Sequence, residues 1–274
     1  MQAMSKTASP DSLRESALRA LSAVDPQDKV MRTEKLWVAR ENMVVGANHT
    51  LAPSAPIPGR PARPDLIHPA KVPKRSPATP EGRAALLHAI AHIEFNAINL
   101  ALDAVWRFAG MPDAFYLDWL RVAKEEACHF TLLREHLQTL GHDYGDFPAH
   151  DNLWMMCEHT QHDVTARMAL VPRTLEARGL DATPLIQAKL RQVGAADALR
   201  AVDILDIILR DEVGHVAIGN HWYRWLCERD GLDPVAHYAV LSVRHGAPRL
   251  YPPFNAAARI RAGFTQEEIT RLGT

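Results

Sequence analysis

Two short stretches of this chain carry the same pair of potential metal ligands at the same spacing. They are Glu126 and His129 in "KEEACHFTLL", and Glu212 and His215 in "RDEVGHVAIGNHW". On an α-helix, residues three apart lie one turn apart on one face, so each pair offers a carboxylate oxygen and an imidazole nitrogen to one cation. Both pairs interrupt stripes that are otherwise apolar: Trp119, Val122, Phe130, Leu133 and Leu137 around the first, Val202, Leu205, Ile208, Val216 and Trp222 around the second. A third stripe, from Leu87 to Phe108, is interrupted by Glu94. One Glu-x-x-His on a helix means little, but three ionisable interruptions of buried stripes demand partners, because an unpaired buried carboxylate costs several kcal/mol. The alternative to a metal is a core in which these Glu and His side chains hydrogen-bond one another.

The elements that must position these residues are long helices. Thr79, Pro80 and Glu81 form a start signal (a cap, a first-turn proline and an acid at the positive end of the dipole), and the first helix runs to Gly110. The second starts near Pro112-Asp113 and ends at Gly141, and the last runs from about Ala195 to Cys227. Glu94, Glu126 and Glu212 then sit roughly 13–16 residues into their helices, so antiparallel packing brings them to one level of a bundle. The intervening helix admits two readings. If it spans 149–179, Glu158 or His162 lies at mid-height. If 149–162 is a crossover, the helix runs over about 163–193, bent at Pro172 or at "GLDATP", with Glu176 at mid-height.

The stretches "HAIAHIEFNAINLALDAVWRF", "EEACHFTLLREHLQTLGHDYGDFPAHDNLW", "ARMALVPRTLEARGLD" and "RDEVGHVAIGNHWY" together resemble the bacterial DUF455 group of ferritin-like proteins, from about residue 80 to the C-terminus and over the N-terminal arm as well. Two Glu-x-x-His motifs with single glutamates from the first and third helices resemble the ferritin-like di-iron carboxylate proteins. The spacing is also similar to the di-iron hydroxylase of a modified tRNA adenosine and to the quinone-ring hydroxylase of ubiquinone synthesis. The "Glu-Ala-Arg" setting of the tRNA enzyme's third-helix ligand has a counterpart in Glu176-Ala177-Arg178. The resemblance implies an all-α, ferritin-like four-helix bundle and favours Glu176 over Glu158 and His162. It implies two metal ions, iron with manganese as the alternative, on Glu94, Glu126, His129, Glu176, Glu212 and His215. Four carboxylates would balance two divalent cations.

The bulk properties set limits. A net charge of −1 gives no electrostatic case for nucleic acid or an anionic membrane. Three scattered cysteines without CxxC spacing imply neither a disulfide framework nor a thiolate metal site, so a reducing, cytoplasmic setting is expected. The N-terminus lacks the apolar run of a signal peptide, and no window is apolar for 18 residues in a row. Residues 1–80 read as a helical arm followed by an extended segment, since 46–80 hold nine of the 19 prolines. That segment either wraps the surface or is a mobile linker. Residues 81–230 form the bundle, and 231–274 an extension with further helices, the last signalled by Thr265 and Glu268.

Several residues take ordinary expectations. His88, His92, Asn96, Asn99 and Asp103 form the polar side of the first helix and, like His221, are expected at the surface or supporting ligands rather than as ligands themselves, and His136, His142, His150 and His159 are surface or loop residues. Cys128 is a small buried hydrophobe, and Asp206 pairs with Arg210. Glu125 and Asp211 face away or support the ligands, and Arg173 or Arg178 either orients Glu176 or is plain surface charge. The expected activity is O2-dependent oxidation or hydroxylation of a small molecule, with O2 or peroxide as co-substrate and an external electron donor. Iron binding with peroxide detoxification and a metal-free scaffold are the alternatives. A homodimer is compatible with such a bundle.

Overall fold

The computed structural model describes residues 11–73 and 75–272, and among these every regular element is helical. The first ten residues of the expected arm, Lys74 of the "KVPKR" run and the last two residues lie outside the described residues. The arm holds α1 (Leu13–Leu21) and α2 (Pro26–Ala39). Ser12 and Glu15 cap α1 reciprocally, and Asp25 caps α2 with Pro26 in its first turn.

The bundle consists of α3 (Pro80–Arg107), α4 (Asp113–Thr139), a third helix in two parts, α6 (Val164–Leu170) and α7 (Ala177–Val193), and α8 (Ala196–Arg229). The crossover before the third helix carries α5 (Asn152–His159). α3 and α4 are joined by a short turn and pack as an antiparallel pair, as do the third helix and α8, which meet at Gly194 in a left-handed C-cap. Side chains 125 and 129 on α4 meet 215 and 211 on α8, so these two helices are also antiparallel. α4 and the third helix therefore run parallel, which is why the chain must cross the length of the bundle between residues 140 and 163. α3 has the length and apolarity of a membrane span, yet 78% of that window is buried inside the protein, as befits the central core helix.

The Pro-rich segment wraps. It forms an isolated parallel bridge between Leu66 and Ala149, with Ile67 N donating to Ala149 O (2.8 Å) and Ala149 N to Asp65 O (3.0 Å). This cover corrects the expectation for the polar side of α3: His88, His92, Asn96, Asn99 and Asp103 are all buried. His92 reaches Tyr144 Oη (2.9 Å) and His150 O (3.1 Å) in the crossover, and Asp103 pairs with Arg167 of α6. His92 and Asp103 thus find partners, whereas Nδ1 of His88 and the side-chain amide of Asn99 are buried without one.

Arg14 ties the arm to the end of α3. Its guanidinium donates to the carbonyls of Val105, Trp106, Gly46, Ala47 and His49 at 2.6–3.3 Å, satisfying carbonyls that the helix terminus leaves open. Arm and bundle accordingly share one hydrophobic core, from Leu13 and Leu21 to Trp119 and Leu226.

The C-terminal extension holds α9 (Pro234–Arg244), α10 (Ala256–Arg261) and α11 (Gln266–Arg271), the last with the expected Thr265–Glu268 capping box. α9 packs on α6 and α8, and the segment from α10 onward covers the seam of α7 and α8: Ala258, Ala262 and Phe264 pack on Ala177, Leu180 and Val216, and Arg259 pairs with Asp181 at 2.5 Å. Arg173 does not orient Glu176. It is buried against Glu268 and donates to Asn220 Oδ1 at 2.8 Å.

Candidate metal centre

Glu94 on α3, Glu126 and His129 on α4, Glu176 before α7, and Glu212 and His215 on α8 are all buried, none more than 8% exposed. One ligand atom from each of Glu94, Glu126, His129 and Glu212 falls within 4.8 Å of the others. Glu126 lies at the middle: Oε2 is 3.1 Å from His129 Nδ1, and Oε1 is 2.8 Å from His215 Nδ1. His129 Nδ1 is also 3.4 Å from Glu94 Oε2, and His215 Nδ1 is 3.7 Å from Glu212 Oε1. Ligands about 2.0–2.2 Å from a common cation at angles near 90–110° are separated by roughly 2.8–3.6 Å, and the three shortest of these contacts fall within that range.

Close approach is not the same as hydrogen bonding here. Glu94 Oε2, Glu126 Oε1, both oxygens of Glu176, Glu212 Oε2 and His215 Nδ1 are buried without a hydrogen-bond partner. The 2.8 Å contact of His215 Nδ1 with Glu126 Oε1 is too far off-line to be a hydrogen bond; both atoms face a shared space. Each unsatisfied buried polar atom costs about 1–3 kcal/mol, so the cluster favours a ligand that takes up these lone pairs. A cation accepted by these atoms removes that cost, and the donor set of carboxylates with imidazoles suits iron or manganese.

The outward nitrogens are fully engaged. His129 Nε2 is 3.1 Å from Asp211 Oδ2, and His215 Nε2 is 2.7 Å from Glu125 Oε2. Each imidazole thus gives its N–H to the acid that precedes the motif on the opposite helix and keeps Nδ1 for the cluster. Charge couples the group tightly. Burial opposes the charged form of His129, but the surrounding carboxylates of Asp211, Glu126 and Glu94 outweigh it and push the imidazole up to about 12. Burial, together with the negative charge of Glu126, holds Glu94 well above the usual carboxylate range, and burial with Glu212 does the same to Glu176.

Glu176 owes its position to one local irregularity. Val171–Glu176 form a π turn between α6 and α7. Pro172 has no N–H and its ring would clash with the preceding turn, a conflict that the wider π turn relieves. The turn also rotates the following helix by about 100°, the angle of one extra residue. α8 approaches it closely at Gly219, where a Cβ would lie 2.6 Å from the Pro172 ring. Glu158 and His162, the other sequence candidates on this stretch, are exposed, and Glu158 accepts from Trp154 Nε1 at 3.0 Å.

Three smaller expectations are corrected. Cys128 is exposed, because it is the one motif residue on the outer side of α4. Arg210 pairs with Asp211 at 2.8 Å, while Asp206 accepts from Gln187 at 2.6 Å. His136 is buried, with Nε2 2.8 Å from Asp197 O.

The fold and this cluster define an all-α bundle protein with a buried carboxylate–histidine group able to hold metal. Over residues 22–270 the chain matches the family described as "Protein of unknown function (DUF455)", and it belongs to that family. It is 55% identical over 264 residues to an uncharacterized protein of Haemophilus influenzae, an alignment covering 91% of this chain and 90% of that one. No solved structure matches it.

Proposed function

We propose that the protein is a ferritin-like di-metal carboxylate protein, with iron as the metal, that oxidises or hydroxylates a small organic substrate using O2. The observation that carries this reading is the cluster of Glu94, Glu126, His129 and Glu212, one ligand atom of each within 4.8 Å of the others, together with six buried carboxylate and imidazole atoms that lack a hydrogen-bond partner. Two ferrous ions bound there would supply the electrons that reduce O2 or peroxide.

The chain's own contributions follow from its geometry. Glu126, with one oxygen toward each imidazole, would be a ligand at the middle of the centre. Glu94, His129 and Glu212, whose ligand atoms lie within 4.8 Å of one another and of Glu126, would hold metal with it, and His215 and Glu176 would complete the set. Asp211 and Glu125 hold the imidazole N–H groups outward, fixing the tautomer and strengthening Nδ1 as a donor. Burial of all six residues keeps bulk water from the centre, which strengthens every charge interaction inside it. The cysteines are free, and none stands in CxxC spacing, so the reducing electrons come from an external donor.

The test is O2 uptake by the ferrous-loaded protein, compared with a Glu126→Ala variant carried through the same loading. The account expects uptake in the native chain and loss in the variant. A native chain that holds about two irons yet reacts with neither O2 nor peroxide would overturn the oxidase reading while leaving the metal site standing. Retention of many more irons per chain would point to storage.

A further inference from the structure

Four glycines stand inside the bundle helices: Gly82, Gly179, Gly214 and Gly219. A Cβ on Gly82 would lie 1.8 Å from Ser76 O, and one on Gly219 would strike Pro172, so these two are needed for close approach. Gly179 and Gly214 have neither a positive φ nor any neighbour within 4 Å of a Cβ. A mid-helix glycine is destabilising relative to alanine, and at these two positions packing gives nothing in return.

Gly179 follows Glu176 by three residues and so lies on the same face of the helix, one turn on. Glu176, its neighbour one turn back, has both oxygens buried without a hydrogen-bond partner, as has Oε2 of Glu212 across on α8. Glu176 and Glu212 are also the most exposed of the six proposed ligands, at 8% each against 0–4% for the rest. Gly214, two residues from Glu212, is turned about 200° from it and faces away.

Arg178, the residue before Gly179, is exposed and makes no ion pair among the described residues. With Ala182 and Leu185 of α7 and Tyr251 and Phe254 of the segment after α9, it lines a surface pocket of about 210 Å3. The acid in that pocket, Asp181, is already neutralised by Arg259.

We propose that Gly179 marks the mouth through which ligands reach the Glu176–Glu212 side of the centre, and that the ligand is a small anion or the anionic end of a substrate, attracted by Arg178. This rests on the metal-centre reading and adds to it a route and a chemical class. Azide is the probe. The protein is loaded with ferrous iron and oxidised in air, iron per chain is measured, and azide binding is followed by the visible band of the ferric–azide complex.

Gly179→Leu should keep the native iron content, because its Cβ meets nothing, and should slow azide binding severalfold or abolish it. Gly179→Ala, a milder change that also favours the helix, should slow it less. Arg178→Glu should slow it by roughly tenfold at low ionic strength, the lower end of electrostatic steering, with the difference shrinking in high salt. Gly214→Leu should bind azide as the native protein does. Native azide kinetics in both Gly179 variants with full iron would overturn the mouth, and native kinetics in Arg178→Glu would overturn the anionic class. A native chain that holds no iron would overturn the metal centre itself and the mouth with it.

Discussion

Nε2 of His129 on α4 lies 3.1 Å from Oδ2 of Asp211 on α8, and this contact decides which nitrogen of the ring faces the centre. His215 on α8 repeats it with Glu125 on α4 at 2.7 Å. Each helix thus supplies a ligand pair and, one residue earlier, the acid that orients the other helix's imidazole. The same contacts tie α4 to α8 at the level of the cluster.

Removing these acids should weaken metal binding without unfolding the bundle. Asp211→Ala and Glu125→Ala are each expected to lower metal affinity by about 10–100-fold, with Asp211→Asn less severe because it keeps an acceptor oxygen. Competition against a chelator of known affinity measures this, alongside far-UV circular dichroism. Unchanged affinity in both alanine variants would mean that the imidazoles need no orienting partner.

The approach of Gly219 to Pro172 should be equally exacting. Gly219→Leu forces atoms into a gap where even a Cβ lies 2.6 Å from the proline ring. The expected cost is about 1–3 kcal/mol, read as a lower urea midpoint, with loss of metal because the π turn carrying Glu176 is displaced. Gly214→Ala, on the same helix with open space around it, should instead stabilise by up to about 1 kcal/mol. Equal midpoints for the two variants would contradict this account of α8.

Lys29 supplies a pH dependence. Its amine is fully buried on α2, donates to Leu21 O at 2.6 Å, and is brought down from 10.5 to about 7 by burial, with a smaller push from Arg60. Between these values the unfolded chain holds a proton that the folded chain releases, so stability should rise with pH across this window. Below about 7 the cost of burying the charge is fully present; above 10.5 it vanishes. The slope is at most about 1.4 kcal/mol per pH unit. Lys29→Met should abolish this rise, seen by comparing urea midpoints of both proteins at several pH values from neutral to alkaline. Parallel pH profiles would show that Lys29 is not the group responsible.

Much of the site could be read in the chain because helical periodicity is local. The Thr79-Pro80 start, the glutamate centred on each stripe and the repeated Glu-x-x-His depend on residues within a few turns. The three long helices begin and end within three residues of where the sequence places them. What escaped depended on distant chain. The polar face of α3 reads as surface until residues 46–73 are known to wrap toward the crossover, and nothing near His92 announces Tyr144. Arg173 has an amide partner on α8 and an acidic one in the last helix, each more than 40 residues away. The crossed roles of Glu125 and Asp211 did leave a signal: an acid directly before the glutamate in both motifs. It becomes interpretable only once α4 and α8 are known to be antiparallel neighbours.

The measurement that tests the central claim most directly is metal content per chain after anaerobic loading with ferrous iron and desalting. The account predicts about two irons for the native protein, a marked fall in Glu126→Ala and Glu212→Ala with helicity retained, and a fall in Glu176→Gln but not in Glu158→Gln. Native protein that retains no iron, manganese or zinc, or variants that retain as much as it does, would contradict the claim. The buried glutamates and histidines would then be satisfying one another.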